Sequence, residues 1–187
     1  MNNELLEPIP RYETERLVMR KLTMEDAEDV FEYASNPEVS KYVTWETHRT
    51  INDSISFIKM TIEKYEHEAI GDWGLEYKAN GKLIGTCGFV NWNKQHHWAG
   101  IGYVLSRDYW NRGIMTEAAS VIIRHGFEKM DLNRIEAHHM IENIASGRVM
   151  QKVGMTFEGV VRGLFFARGT HHDVKLYSIL KSEFLRG

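Results

Sequence analysis

A glycine stands where a helix-like stretch, YWNRGIMTEA, begins directly after IGYVL, a run typical of a strand. The first turn of a helix has unpaired backbone N–H groups and a partial positive charge, so anions bind there readily. The donors would be the amides of Arg112, Gly113, Ile114, Met115 and Thr116, with added charge from Arg112 and a hydroxyl from Thr116. Because glycine has no side chain, a diphosphate could approach the backbone closely. A glycine used only for close helix packing is the alternative, and this stretch by itself favours that alternative.

A second group of polar residues opens a later helix-like stretch, NIASGRVMQKVG. Asn143 is a typical N-cap because its side-chain oxygen can accept a hydrogen bond from the first turn. Gly154 is typical of the position just after a helix ends. Ser146 falls within the first turn of this helix. If the stretch serves only to cap the helix, Ser146 has no chemical role.

Histidines are abundant, but their arrangement argues against a metal site. The nine histidines include three adjacent pairs. Adjacent residues of a strand point to opposite faces of the sheet, so neither residue of such a pair can join the other in binding one metal ion. Without cysteine or glutamate partners at ligand spacing, we predict no metal. The pair His171-His172, before Asp173, is assigned to a turn. The single cysteine, Cys87, lies in an apolar strand without basic neighbours and is predicted to be a core residue.

Alternating and apolar runs predict the strands that must position these residues. TERLVMRKL, at Thr14–Leu22, predicts a first strand. DWGLEYK and LIGTCGFV flank an Asn-Gly turn and predict a hairpin, which HWAGIGYVL, at His97–Leu105, extends as an antiparallel sheet. RIEAHHM predicts a further strand, and MTFEGVVRGLFF with HHDVKLYSIL predicts a closing hairpin.

Periodic apolar residues and capping signals predict the helices. Thr23 and Asp26 form a capping box at the start of MEDAEDVFEYA, and Asn36-Pro37 ends that helix. Four isoleucines at helical spacing predict an amphipathic helix over Ile51–Glu68. The stretch that opens with the glycine predicts a helix over Gly113–Lys129, burying its apolar face. The element order predicts a single-sheet α/β or α+β domain with helices on both faces. Because G-x-G-x-x-G is absent, a doubly wound nucleotide-binding fold is not expected.

Length and composition limit the class of protein. The 187 residues suit one domain, taken as 1–187, with 43% hydrophobic residues to build its core. A net charge of -3 gives no electrostatic footprint for nucleic acid. No apolar run reaches the ~18 residues that cross a bilayer, and the acidic start lacks a signal-peptide pattern. With its lone cysteine, the chain is expected to be a cytoplasmic protein that acts on a small molecule or a soluble partner.

Taken together, the motifs resemble those of one superfamily. IGYVLSRDYWNRGIMTEA resembles the acetyl-CoA signature of the GCN5-related N-acetyltransferases (GNAT), and NIASGRVMQKVGM resembles their second motif, N-x-x-S-x-x-V-x-x-K-x-G-F/M. TERLVMRKL and HHDVKLYSIL match the branch that contains the ribosomal-protein alanine/serine N-terminal acetyltransferases. The resemblance covers Thr14 to Leu180. The wider family has Q/R-x-x-G-x-G/A at the phosphate loop, where this chain has Trp110 and Met115 at the outer positions, so backbone donors rather than side chains would bind the phosphate.

The resemblance implies a mixed, mostly antiparallel sheet with two splayed strands. It also implies acetyl transfer from acetyl-CoA, as co-substrate, to a primary amine by direct attack in a ternary complex, without a metal. The pantetheine arm would lie between the strands IGYVL and RIEAHHM. We expect it to contact the backbone of Tyr103, Val104 and Leu105 and the side chain of Asn143.

Three functions must be supplied in that reaction: a polarised carbonyl, a protonated leaving group and a neutral amine. Ser146 matches the family serine and could donate to the departing sulfur, with Tyr177 as the alternative acid. Relatives often carry a base in A-E-I-G-Y, but this chain reads AGIGY. Glu76, or His97 or His138 through a water, could substitute, and the sequence does not choose among them.

A dedicated base is not essential for every acceptor. An α-amino group has a reference pKa of ~7.7–8.0, whereas a lysine amine at ~10.4 is rarely neutral at pH 7. The missing glutamate therefore favours a protein N-terminal amine as acceptor, or a small amine of low pKa. An antibiotic or polyamine acetyltransferase and a non-catalytic acyl-CoA-binding module are the alternatives.

Aromatic residues are candidates for the acceptor pocket, although most aromatics serve the core. The candidates are Trp45, Trp73, Trp92, Trp98 and Phe165. Trp45 is favoured because it lies in the connection KYVTWETHRT. The sequence leaves the oligomeric state open, with a homodimer as one option.

Overall fold

A mixed sheet of eight strands runs through the computed structural model, which describes residues 9–67 and 70–186. The strands are β1 Tyr12–Glu13, β2 Leu17–Arg20, β3 Asp72–Tyr77, β4 Lys82–Asn93, β5 Trp98–Leu105, β6 Arg134–Met140, β7 Thr156–Ala167 and β8 Thr170–Leu180. Their order across the sheet is β1-β2-β3-β4-β5-β6-β8-β7. Only the β5–β6 pair is parallel; the other neighbours are antiparallel.

Helices cover both faces of this sheet, as predicted. They are α1 Ala27–Ala34, α2 Pro37–Ser40, α3 Ile51–His67, α4 Ile114–Glu128, α5 Ile144–Lys152 and α6 Lys181–Phe184. Helices α1 and α3 pack together on one face, and α4 packs on the other, where the Trp73 ring lies 5.2 Å from the ring of His125. Ile114, Ala118 and Ile122 are buried beneath α4. Cys87 is fully buried, which confirms the prediction of a core residue, and burial raises the pKa of its thiol.

The first predicted strand, Thr14–Leu22, is wrong in its bounds. Two short strands, β1 and β2, replace it, and Thr14 lies in the turn between them. The Thr14 amide donates to the Leu17 carbonyl at 2.9 Å, and the Leu17 amide donates to the Thr14 hydroxyl oxygen at 2.9 Å. These local hydrogen bonds satisfy the backbone without a strand partner, which is the usual way in which threonine competes with a sheet.

The capping signals of the first helices are confirmed in detail. The Asp26 carboxylate accepts from the Thr23 amide at 2.7 Å, and a 3-10 turn leads into α1. Asn36 follows the end of α1 and also starts α2, because its side-chain oxygen accepts from the Glu38 amide at 3.0 Å. Helix α3 follows its prediction up to His67; Glu68 lies outside the described residues.

The closing hairpin forms one edge of the sheet with its second strand innermost. Strand β8 lies between β6 and β7. The predicted turn at His171-His172 is wrong, since both residues belong to β8 and pair with β7. Arg168 and Gly169 make the turn instead, with φ of 50° and 75°. A turn with two residues in the left-handed region is typical of a tight hairpin.

Strands β5 and β6 separate after a short paired segment. Their only paired positions are Trp98–Arg134, Ala99–Ile135 and Gly100–Glu136, although the strands continue to Leu105 and Met140. The predicted splayed strand pair is therefore confirmed. The gap lies between the two strand ends from which the loops to α4 and α5 emerge.

Candidate active site

Gly113 is the N-cap residue of α4 and has a φ of 76°, in the left-handed region. A Cβ at this position would meet only the Arg16 Nη2 atom, at 3.6 Å. Backbone conformation therefore requires the glycine, and the close-packing explanation is wrong. Because glycine offers no capping side chain, the amides of Ile114, Met115 and Thr116 are left for an external acceptor.

Arg16 holds the loop before α4 in place, a role that the sequence did not reveal. Its guanidinium donates to the Arg112 carbonyl at 2.7 Å and to the Glu117 carboxylate at 2.7 Å. The Arg16 amide also donates to Glu117, at 3.0 Å. The Arg112 guanidinium lies over the Tyr109 ring, 5.6 Å from its centroid. Arg16 is thus neutralised by an ion pair, and Arg112 is the arginine that can add charge beside the helix N-terminus.

Backbone amides of β5 face the gap between the splayed strands. The Ser106 amide donates to the Ile84 carbonyl of β4 at 2.7 Å. Because successive amides of a strand alternate in direction, those of Leu105, Tyr103 and Ile101 point toward β6. Val104 faces β4 with its backbone and offers only its side chain to the neighbouring cavity. Of the three predicted backbone contacts, Tyr103 and Leu105 are correctly oriented and Val104 is not.

Helix α5 borders the same gap and brings two predicted residues together with Tyr103. Asn143 caps this helix, since its side-chain oxygen accepts from the Ser146 amide at 3.2 Å. The Tyr103 hydroxyl donates to the Ser146 carbonyl at 3.0 Å and lies 2.9 Å from the Ser146 Oγ atom. Burial raises the pKa of Tyr103, so its hydroxyl stays protonated. The two hydroxyls form a short chain that can pass a proton toward the gap.

A cavity of about 940 Å³ opens from the gap across the α1 and α3 face of the sheet. Its apolar and aromatic lining includes Val30, Tyr33, Trp45, Phe57, Leu164 and Phe165. Asn143, Ser146 and His138 line it on the gap side. Of the aromatic candidates, Trp45 and Phe165 line this cavity. Trp73 is a core residue that donates to the Pro10 carbonyl at 2.7 Å, and Trp92 and Trp98 do not line this cavity.

Glu76 does not lie at this site. Its carboxylate accepts from the Arg20 Nε atom at 2.7 Å, and the same guanidinium binds Asp26 at 2.8 Å. Glu76 is absent from the cavity lining, so its assignment as the base is wrong on geometric grounds. His97 is also misplaced, because it precedes the paired end of β5 and its ring is bonded to the Asp131 carbonyl at 2.9 Å.

Tyr177 and His139 are less suitable for proton transfer than their types suggest, whereas nothing in the geometry contradicts the prediction for His138. Tyr177 is buried, stacks on the His139 ring at 5.6 Å and does not line the cavity. The His139 Nδ1 atom is 2.7 Å from the Met140 carbonyl, which leaves Nε2 without a partner but pressed against Gly147 of α5. His138 lines the cavity, and burial lowers its pKa, so that it is neutral at pH 7.

Asp72 is the residue that the sequence reasoning missed. It is the only carboxylate among the cavity-lining residues of the described chain, and no lysine or arginine lines the cavity with it. Burial raises its pKa to about 6, against a weaker opposing effect of Lys64. No sequence motif marks Asp72, because its importance depends on which strands lie beside β3.

No group of three or more metal-ligating side chains exists within residues 9–67 and 70–186. Among the helices of those residues, none has the length and apolar character to span a membrane. The site is thus a strand gap with donor amides, a hydroxyl pair and an apolar cavity with one acid.

Comparison with known proteins agrees with this geometry. Residues 16–156 match the family described as acetyltransferase (GNAT) domain. The chain belongs to the GNAT acetyltransferase family. It is 37% identical over 172 residues to the uncharacterised N-acetyltransferase YoaA of Bacillus subtilis, covering 92% of this chain and 97% of YoaA. It is therefore an N-acetyltransferase, and its co-substrate is acetyl-CoA.

Solved structures show the same fold. A GNAT-family acetyltransferase from Bacillus anthracis aligns with a TM-score of 0.82 and 31% identity, over 93% of this chain and 100% of that one. The microcin C7 self-immunity acetyltransferase MccE, solved with acetyl-CoA and AMP, aligns with a TM-score of 0.80 at 22% identity, over 89% of this chain and 93% of that one. At that identity the second likeness shows the fold alone.

Proposed function

We propose that this GNAT enzyme transfers the acetyl group by direct attack of an acceptor amine on acetyl-CoA while both substrates are bound. The observation that carries the proposal is the opening of the β5–β6 gap into the apolar cavity. An acyl group that enters along the gap meets an acceptor that enters through the cavity. Holding two reactants together in this way supplies a large part of the rate acceleration.

The acetyl-CoA side of the site is divided between the N-terminus of α4 and the gap-facing amides of β5. The amides of Ile114, Met115 and Thr116 would hold the diphosphate, where each hydrogen bond to a charged acceptor contributes roughly 1.5–3 kcal/mol. Pantetheine would then lie along the gap, within reach of the Tyr103 and Leu105 amides. One of these amides would polarise the thioester carbonyl as negative charge develops on its oxygen.

The leaving group would be protonated from the other side of the gap. Attack by the amine lone pair on the carbonyl carbon breaks the C–S bond, and sulfur takes the electron pair. Ser146 Oγ would donate a proton to the thiolate and recover one from the Tyr103 hydroxyl at 2.9 Å. This replaces Tyr177 with Tyr103 as the tyrosine that serves the reaction.

A protein N-terminal α-amine is our proposed acceptor. The support is the resemblance of the terminal motifs to the ribosomal-protein branch, together with the absence of a glutamate in AGIGY. An α-amine needs less help to lose its proton than a lysine does.

A small amine is the second candidate, favoured by a bridge beside the cavity. The Arg168 guanidinium donates to the carbonyls of Val43, at 3.1 Å, and Ser40. It thereby joins the β7–β8 hairpin to the segment before Trp45, and both of these elements line the cavity. A compact acceptor fits beneath such a bridge without displacing it.

Thiol release in the presence of acetyl-CoA tests these assignments. The purified chain is mixed with acetyl-CoA and, in turn, an alanine-terminated peptide, a serine-terminated peptide, spermidine and 2-phenylethylamine. Release with the peptides supports the N-terminal acceptor, and release only with amines supports the second candidate. Saturable acetyl-CoA binding without release from any acceptor would contradict the catalytic proposal and indicate a binding module.

A further inference from the structure

Asp72 is connected to the strand gap by a row of backbone that carries no side chains. In the sheet register Asp72 of β3 pairs with Gly88 of β4, and Gly88 pairs with Gly102 of β5. Neighbouring strands are ~4.8 Å apart, so the Cα atoms of Asp72 and Gly102 are separated by about 10 Å. Gly102 lies between Ile101 and Tyr103, two of the three β5 residues whose amides face the gap. The row therefore leads from the carboxylate to the place where the thioester is expected.

Both glycines are required by crowding, which fixes the strand register that joins Asp72 to the gap. A Cβ at Gly88 would lie 2.1 Å from the Gly71 carbonyl oxygen, which no side chain can tolerate. A Cβ at Gly102 would lie 2.8 Å from the Val90 side chain. Neither glycine can gain a side chain without moving its neighbours, so the distance from Asp72 to the gap is a fixed feature of the sheet.

The Asp72 carboxylate has no partner within the described part of the chain. None of the ion pairs or hydrogen bonds of those residues involves its half-buried side chain, although charges that are partly removed from water ordinarily have a partner. The Tyr33 hydroxyl and the His139 Nε2 atom are buried and unpaired, and both residues line the same cavity. A carboxylate and two unsatisfied polar atoms in one largely apolar cavity indicate a polar ligand.

The remainder of the lining specifies what kind of cation would bind. The other residues that line the cavity are mostly apolar and aromatic, among them Val30, Trp45, Phe57 and Phe165. A polyamine would bring several charges into this cavity, and only one could be neutralised there. An amine with one positive charge and an apolar body matches both the single acid and its surroundings.

From this arrangement we infer that Asp72 binds the acceptor amine as its counter-ion and takes its proton, and that the part of the acceptor that enters the cavity is a single ammonium on an apolar body, as in 2-phenylethylamine or in a peptide N-terminus that begins with apolar residues. The inference rests on the proposed acetyl transfer. One N–H proton passes from the ammonium to the Asp72 carboxylate, and the freed lone pair attacks the thioester carbon. The C–S electron pair leaves with sulfur, which is protonated from Ser146.

The ionisation of Asp72 is consistent with this role. With a pKa of about 6 it is charged at neutral pH, and accepting a proton from an α-ammonium is unfavourable by only ~100-fold. Accepting a proton from a lysine ammonium is unfavourable by more than ~10⁴-fold. The titratable groups around it are Tyr33 on α1, Tyr65 and Lys64 on α3, and Cys87 on β4. Burial raises the pKa of both tyrosines and of the cysteine, so none of the three competes as a base. His48 and His138 line the same cavity and burial lowers the pKa of each, so these neutral imidazoles are the competing bases, and loss of the acidic limb in Asp72→Asn distinguishes Asp72 from them.

Asp72→Asn tests the inference, with Asp131→Asn as a matched control that removes an exposed carboxylate. With 2-phenylethylamine and acetyl-CoA, we expect kcat/KM for the amine to fall at least ~100-fold in Asp72→Asn. We expect the KM for acetyl-CoA to stay within twofold and the acidic limb of the pH–rate profile, near pH 6, to disappear. Circular dichroism confirms that the variant is folded. Equal kcat/KM in Asp72→Asn and wild type, or spermidine as the better acceptor, would overturn the inference and leave acetyl transfer intact.

A binding measurement separates this inference from the proposed function. Calorimetry of 2-phenylethylamine against each protein needs no turnover. Suppose that no amine releases thiol, but that wild type binds 2-phenylethylamine at least ~10-fold more tightly than Asp72→Asn does. The inference that Asp72 is the counter-ion of the amine would then be supported, and the proposed acetyl transfer to this class of acceptor would be refuted. Equal binding by the two proteins would overturn the site.

Discussion

Asp72→Asn is expected to stabilise the folded protein at pH 7 while it impairs catalysis. Asp72 has an ordinary pKa of 3.8, and burial raises it to about 6 in the folded state. The folded state therefore binds this proton more tightly than the unfolded state does. It follows that the ionised carboxylate costs stability above pH 6, and that the cost fades as the pH falls toward 4.

The size of this cost follows from the shift in pKa. A difference of about two pKa units corresponds to roughly 3 kcal/mol at pH 7. The side chain keeps part of its solvent exposure and an asparagine amide also prefers a partner, so the expected gain is about 1–2 kcal/mol. Between pH 7 and pH 5 the advantage of the variant over wild type should narrow by about 1 kcal/mol.

Urea denaturation of wild type and Asp72→Asn at pH 5 and pH 7 measures the stability difference between the two proteins and its change with pH. Comparing the two proteins at each pH cancels the titration of the nine histidines, which both share. A variant that is less stable than wild type at pH 7 would refute the reasoning, as would a stability difference that does not change with pH. In either case the carboxylate would have a neutralising partner.

Three further substitutions test the other parts of the site. Gly113→Glu should weaken acetyl-CoA binding by ~100-fold or more, because it adds charge and a strained φ at the anion site, and unchanged affinity in calorimetry would count against that site. Ser146→Ala should lower kcat by ~10²-fold with little change in acetyl-CoA affinity, and full turnover would remove Ser146 from the mechanism. Arg168→Ala should raise kcat/KM for peptides relative to 2-phenylethylamine by removing the bridge, and an unchanged ratio would show that the bridge does not select the acceptor.

Sequence reasoning succeeds where a function depends on local backbone. Gly113 was recognisable because a helix N-terminus is formed by consecutive residues, and its left-handed φ explains why a glycine stands there. Asn143 was recognisable as a cap for the same reason. The splayed strands followed from family resemblance, since no pattern within either strand encodes where pairing stops.

The acceptor side could not be predicted in this way. Asp72 and Glu76 lie on one short strand, and the sequence gives no reason to prefer either. The choice depends on neighbours distant in the chain: Arg20 neutralises Glu76, whereas Asp72 pairs with Gly88 of β4 and lines the cavity. Tyr103 was expected to act through its backbone, and its hydroxyl became relevant only when α5 placed Ser146 against it.

The insertion of β8 between β6 and β7 has a consequence for biosynthesis. While the ribosome is still adding β7, one edge of β6 has no permanent partner, because β8 follows β7 in the chain. A bare strand edge is a template for aggregation. The nascent chain must therefore either delay the ordering of β6 or shield it with a chaperone until β8 emerges, so mutations in the β7–β8 turn should affect soluble yield more than the melting temperature.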